Sequence, residues 1–231
     1  MEITNELKDM LTNPFDGVNN TNIQDIQKRC KKIAEMLFNK HCIKCGNKTF
    51  RFAEIEFYYY KNEESNKNNF NLDWNKETYP RNKDAGEFFF HYSGMDICFQ
   101  CHFEEKEKNN EYGEFGGILI RSVLDGDKII AGPLFCVNTI LNACKSEMPS
   151  LESLRPTDYQ QCEYKTDTRC GISSDKQQES GQELYLCYYV THICNKELNW
   201  SNTSERIAWD KKNERFKKSD RNYKRERDLK C

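Results

Sequence analysis

The run Arg51-Phe-Ala-Glu-Ile-Glu-Phe-Tyr-Tyr-Tyr60 constrains this chain more than any other stretch, because two carboxylates interrupt what otherwise reads as a buried strand. Glu54 and Glu56 are two apart, and side chains two apart on a strand point to the same face. Carboxylates seldom enter an apolar interior without a partner. Two of them beside Phe52, Phe57 and Tyr58 therefore predict either the wall of a pocket or an edge strand with its polar face in water.

The rest of the chain supplies enough material to bury such a strand. Its 231 residues include 14 Phe and 12 Tyr, which offset a charged fraction of 31%. No flexible linker divides the middle, so one main domain is expected over residues 23–200. A polar arm, residues 1–22, precedes it, and a Lys/Arg-rich helix or tail, residues 201–231, follows. The net charge of −2 argues against a protein that grips nucleic acid over its whole surface and leaves room only for local contact. Charge does change sign along the chain. Glu104 to Glu114 is mostly acidic, whereas Arg206 to Lys230 is basic with acids interleaved, a pattern of a solvated helix face or of a nucleic-acid contact.

Twelve Cys would suit a disulfide scaffold, but the opening Met-Glu-Ile-Thr-Asn-Glu-Leu-Lys has no apolar signal-peptide core. Reduced thiols in an intracellular compartment, nucleus or cytoplasm, are the expectation. Cys98, Cys136, Cys144 and Cys187 lie in apolar runs, where a free Cys packs as a small hydrophobe. No apolar window is long enough to cross a bilayer.

Periodicity predicts a short helix at most over Asn5 to Leu11 within the loose arm, and a firm one from Ile23 to Asn39, where Ile26, Ile33, Met36 and Leu37 recur at helical spacing. Cys42 to Cys45 and Thr49 to Tyr60 read as strands joined by a Gly46-Asn47 turn. Lys61 to Lys83 reads as a long Asn-rich loop, the kind that often carries function. Phe88 to Phe99 and Gly117 to Leu124 read as central strands joined by the acidic stretch as a loop. Pro133 suits the start of a helix over Leu134 to Cys144. Thr168 to Ser173 and Glu183 to Ile193 read as a final strand pair, and Ser204 to Leu229 as a charged helix. Strands in the middle with helices at the flanks make the class α+β.

Several side chains could carry chemistry. Arg121 interrupts Ile118-Leu-Ile-Arg-Ser-Val-Leu124 and must find a carboxylate such as Glu54 or Glu56, carbonyls, or a ligand phosphate. His91 follows three Phe residues; a single His in a strand is commonly a hydrogen-bonded core residue. Cys42/Cys45 and Cys98/Cys101 are two Cys-x-x-Cys pairs that could in principle close a tetrahedral zinc site. The 52 residues between the pairs exceed ordinary ribbon spacing, and positions three apart on a strand face opposite ways, so packed thiols are expected and no metal.

Taken in order, these pieces resemble the 3-methyladenine (alkyladenine) DNA glycosylase family. Ala53-Glu-Ile-Glu-Phe-Tyr58 resembles its Val-Glu-Thr-Glu-Ala-Tyr strand, Tyr79-Pro-Arg-Asn82 its Thr-Pro-Arg-Asn, and Gly86 to Gln100 its aromatic strand with Tyr-Gly-Met. Gly116-Gly-Ile-Leu-Ile-Arg121 resembles its Val-Leu-Leu-Arg-Ala strand. Gly132-Pro133 before a Cys-containing helix and Thr168-Arg-Cys-Gly171 before Leu184 to Val190 continue the match, which spans roughly residues 30–195. The resemblance implies a single domain with a curved, mostly antiparallel sheet flanked by helices, and no cofactor. It implies hydrolysis of the N-glycosidic bond of a flipped, damaged purine in DNA, with Glu56 activating the water and Arg121 as an active-site arginine. Tyr58 would wall the base pocket and Gln100 would stand for an Asn that crowds unmodified guanine. The segment from Gly86 to Gly94 is one residue shorter than the family pattern, so the pocket Tyr falls on Phe90 or His91, and the intercalating Tyr on Tyr92 or Ser93. No His occurs between Lys61 and Lys83 to replace the family's second stacking residue; Phe70 or Trp74 could substitute. DNA would be met through the pocket and the basic C-terminal segment, with no membrane involved. Two rivals stand beside this expectation: a non-catalytic nucleic-acid-binding or assembly subunit that keeps the fold, and a hydrolase of small nucleosides or other glycosides.

Overall fold

Ile23, Ile26, Cys30, Ile33, Ala34 and Leu37 form one apolar stripe, and the chain from Ile23 to Lys40 winds into a helix that buries it. Asn22 caps this helix, its side-chain oxygen accepting from the backbone N–H groups of Gln24 (3.1 Å) and Asp25 (3.4 Å). The computed structural model describes residues 2–18, 22–62, 70–71, 79–106, 110–144, 147–169, 178–179, 182–183 and 186–200. Within it the helices are α1 (Asn5–Thr12), α2 (Ile23–Lys40) and α3 (Pro133–Cys144). The expected loose arm is corrected: Leu7, Met10, Leu11 and Phe15 are buried in the main core. The chain divides into two units, Met1–Leu198 and Asn199–Cys231, and only the first is described at length.

His41, at the end of α2, ties α1 in place. Its Nδ1 faces the Met36 carbonyl at 2.9 Å and its Nε2 the Thr4 hydroxyl at 3.2 Å, while that hydroxyl accepts from the Leu7 N–H at the start of α1. A neutral ring fits, donating from Nδ1 and accepting at Nε2. Burial lowers the His41 pKa from 6.5. Because the folded value lies below the unfolded one, this contribution is full above pH 6.5 and is lost as acidification carries the solution down through the folded value. The unfolding midpoint should therefore fall below pH 6.5, and His41→Asn should flatten that fall; equal pH slopes for both proteins would contradict it.

The strands are β1 (His41–Cys45), β2 (Lys48–Asn62), β3 (Phe70–Asn71), β4 (Phe88–His91), β5 (Gly94–Cys98), β6 (His102–Lys106) and β7 (Asn110–Asp125). They continue with β8 (Lys128–Ala131), β9 (Ser150–Ser153), β10 (Cys162–Asp167), β11 (Gln178–Glu179), β12 (Gln182–Glu183), β13 (Cys187–Ile193) and β14 (Lys196–Glu197). The main sheet is antiparallel and curled, in the order β10-β13-β2-β7-β5-β4, with β1 and β9 extending from β2 and with β6 and β8 on β7. The molecule is α+β. β2 lies between β13 and β7, so the alternative of an edge strand is corrected.

Two irregularities set which way β2 and β7 present their side chains. The register runs Phe52 to Val123, Glu54 to Ser122 and Ile55 to Ile120, so Ala53 on β2 and Arg121 on β7 drop out of the pairing. A skipped residue reverses the alternation. Phe50 and Phe52 before it, and Ile55, Phe57 and Tyr59 after it, consequently all reach one core with α1 and α2. Strict alternation would have sent Phe52 to the carboxylate side. Close approach of β2 also requires glycine at Gly116, where a Cβ would lie 2.4 Å from the Tyr58 carbonyl oxygen.

Other expectations change for local reasons. Phe88 to Phe99 is a hairpin, β4 and β5 with a turn at Tyr92-Ser93. The acidic loop is a strand pairing, β6 with the start of β7. β13 pairs with β10; the expected strand Thr168 to Ser173 lies mostly outside the described residues. No helix among the described residues is long and apolar enough to cross a membrane.

Cys144 is not a free packed thiol as expected: it is joined to Cys45, linking the end of α3 to the end of β1 with Cα atoms 4.7 Å apart. The bridge spans a sequence separation of 99, and closing a loop of that size in the unfolded chain stabilises by several kcal/mol. Cys144→Ser should lower stability by about 2–5 kcal/mol in urea melts without reductant. With excess dithiothreitol the two proteins should coincide, and coincidence without reductant would contradict the bridge.

Candidate active site

Pairing sets Glu56 opposite Leu119, Leu119 opposite Asp96, and Asp96 opposite Phe89 across β2, β7, β5 and β4. Residues opposite one another in an antiparallel ladder share a face. Stepping two along each strand places Glu54, Glu56, Tyr58, Asp96, Phe89 and His91 on the side of the sheet away from Ile55, Phe57 and Ile118.

Arg121, freed from the ladder by its bulge, lies between the two glutamates. Its Nε is 3.5 Å from Glu54 Oε1 and its Nη1 3.4 Å from Glu56 Oε2. Glu54 also accepts from the Ser122 hydroxyl at 2.8 Å and from the Cys187 thiol at 3.6 Å. Glu56 is fully buried and accepts a hydrogen bond from the Tyr58 hydroxyl. Burial, and next the Glu56 charge, hold the Tyr58 phenol well above its ordinary range, so it stays protonated and donates. Arg169, itself buried, lies 5.1 Å over the Tyr58 ring. The arrangement keeps the Glu56 carboxylate away from water, with the Arg121 guanidinium and the Tyr58 hydroxyl upon it.

Beside this group the β4–β5 hairpin holds a second. Asp96, 4% exposed, takes the Arg81 Nη1 at 2.7 Å on one oxygen and the His91 Nε2 at 3.2 Å on the other. His91 Nδ1 is 2.9 Å from the Ser93 hydroxyl. The Arg81 guanidinium lies 4.4 Å over the Phe89 ring, His91 stacks on Phe89, and Tyr79 touches both His91 and Tyr92. Tyr92 is 74% exposed at the hairpin turn. A ring-lined surface thus ends in an exposed phenol and rests on a buried ion pair.

The structure brings Glu56, Tyr58 and Arg121 into contact and sets His91 on the same face. Phe90 is opposite Met95 and packs against the main core, so of the two alternatives it is His91 that shares the carboxylate face. Gln100 is not brought to the cluster: its side chain is bound to the Ala85 N–H at 3.2 Å and to Asp84 at 3.1 Å. Trp74 and the basic segment 201–231 lie outside the described residues, and of Phe70 only the backbone is described. Sequence reasoning missed Asp96 and Arg81. Asp96 carried the signal that exposed Arg121, a lone charge inside an apolar run, Gly94-Met-Asp-Ile-Cys98. Two cavities formed wholly by described residues, of about 620 and 400 Å³, run along α2 and include none of these side chains. No group of three or more His, Cys, Asp or Glu placed to hold a metal occurs among the described residues.

No family model matches the chain, and no curated protein matches it. What stands established is the class: an α+β protein with a curled antiparallel sheet whose second face carries paired carboxylates and arginines beside a ring-bearing hairpin.

Proposed function

We propose that the chain is a DNA glycosylase-like hydrolase of the alkyladenine kind, which cleaves the N-glycosidic bond of a flipped, damaged purine during base excision. One observation carries the reading: Glu56, held by Tyr58 and Arg121, shares a sheet face with a ring-lined hairpin whose tip, Tyr92, is exposed. Departure of a purine leaves positive charge on the sugar, and an ionised carboxylate stabilises that charge. Water then bonds to the anomeric carbon and gives its proton to Glu56, while the electron pair of the broken C–N bond leaves with the base. The nucleotide must leave the stack to be reached, and rings such as those of Tyr79 and His91 suit a displaced base.

Complete burial of Glu56 favours the rival reading, a nucleic-acid-binding or assembly subunit in which the carboxylate only anchors Arg121. One assay separates them. Duplexes bearing an alkylated purine or hypoxanthine are incubated with the protein, abasic sites are cleaved with alkali, and free nucleosides are assayed in parallel. Strand breaks that depend on Glu56 support the glycosylase. Binding that needs residues 204–231 and yields no breaks supports the subunit, and turnover of free nucleosides alone selects a small-glycoside hydrolase.

A further inference from the structure

Cys98 and Cys101, a Cys-x-x-Cys pair with no part in the proposed hydrolysis, sit with Tyr60 and Phe115 in a small second core on the carboxylate side of the sheet. Cys98 ends β5 opposite Gly117. Cys101 lies beyond the strand, paired only through a bridge to Lys83, so the chain turns between the two residues and the thiols meet. A rule that strand positions three apart face opposite ways therefore does not apply here.

The surroundings of the two thiols differ. Cys101 Sγ receives the Gly116 backbone N–H at 3.4 Å and also lies 3.1 and 3.3 Å from the Phe99 and Gly116 carbonyls. Arg81, 5% exposed, uses Nη1 on Asp96 but has two buried N–H groups, on Nε and Nη2, without a hydrogen-bond partner. Its charge acts on both thiols. A thiolate on Cys101 would give that guanidinium an acceptor. The hydrogen bond from Cys98, then the Gly116 N–H and Arg81, pull the Cys101 thiol below its ordinary value against the effect of burial; the same bond, and then burial, push Cys98 up. Cys101 is 4% exposed and lies between half-buried Gln100 and exposed His102, just beneath the surface.

We infer that Cys98 and Cys101 form a redox-active dithiol that exchanges with low-molecular-weight disulfides, Cys101 attacking and Cys98 resolving. The Cys101 thiolate bonds to one sulfur of the small disulfide, whose S–S bond breaks, and the released thiolate takes the Cys98 proton. The Cys98 thiolate then bonds to the Cys101 sulfur and expels the second thiolate, which is protonated by water. Two electrons and the Cys98 proton pass from the protein to the small disulfide, and water supplies the second proton, yielding two small thiols. This inference does not depend on the glycosylase reading, and its failure would leave that reading untouched.

The test uses the full chain and glutathione as probe. Native protein is equilibrated with oxidised glutathione, remaining thiols are alkylated with iodoacetamide, and peptides are weighed. A Cys98–Cys101 disulfide, lighter by two hydrogens and reversed by reduced glutathione, is expected. In Cys98→Ser the mixed disulfide should persist on Cys101, whereas in Cys101→Ser the Cys98 thiol should remain free. Should either variant misfold, the wild type still decides: with limiting iodoacetamide at pH 7, Cys101 should label at least about tenfold faster than Cys98, Cys30 or Cys187. Both thiols alkylated after excess oxidised glutathione, or Cys98 labelling first, would overturn the inference.

Discussion

Arg121→Met should destabilise the protein by about 3–5 kcal/mol, the usual cost of removing one partner from a buried ion pair. The size follows from what remains. Glu54 and Glu56 are both buried, point the same way and share the Arg121 guanidinium at 3.5 and 3.4 Å. Without it the two neighbouring carboxylates lose a shared cation in a medium that screens charge poorly. Ser122, Cys187 and Tyr58 supply hydrogen bonds to the carboxylates but no positive charge. Arg121→Lys should recover only part of the loss, since a single ammonium cannot present two nitrogens to two carboxylates in a fixed plane. Urea unfolding of the three proteins measures this directly. A Met variant within about 0.5 kcal/mol of the wild type would mean that Arg121 is peripheral to the carboxylate pair.

The same residues show how far the sequence could be read. Helical spacing of Ile26, Ile33 and Leu37 was enough for α2, and the apolar runs were enough for β2 and β7, because burial selects those periods strongly. The two Glu of one run lie on one sheet face, and the lone Arg of another run lies between them. Other features were not legible. The skipped residues at Ala53 and Arg121 depend on how two strands fit each other, which one strand's alternation does not encode. The β4–β5 hairpin was hidden because Phe88, Phe89 and Phe90 suggested one continuous buried strand, whereas Phe88 and Phe90 pack on the main core, Phe89 on the other side, and the chain turns just beyond them at Tyr92-Ser93. Strand β10 escaped for the opposite reason: Glu163, Lys165 and Thr166 are exposed, so Cys162–Asp167 offered little apolar signal.

Pairing across distance was the other illegible part. Asp96 and Arg81 are 15 positions apart, Glu54 and Cys187 are 133 apart, and Cys45 reaches Cys144 across 99. The two Cys-x-x-Cys motifs looked alike on paper. In the fold one gives its second Cys to a bridge with α3, and the other stays a dithiol under an arginine. Neighbouring backbone and charge, not the motif, decide what each can do.

The central claim is that Glu56 is the base that activates water against a purine glycosidic bond, and Glu56→Gln tests it with the least change of shape. The amide can still accept from Tyr58 but cannot take a proton from water, so chemistry should suffer while ring stacking on the hairpin should not. The decisive measurement is single-turnover release of base from a hypoxanthine- or alkylpurine-containing duplex, with protein in excess and binding followed in parallel. The account predicts a rate about 100- to 10,000-fold lower for Glu56→Gln at unchanged affinity. Equal rates in the two proteins, or no release by either, would contradict it.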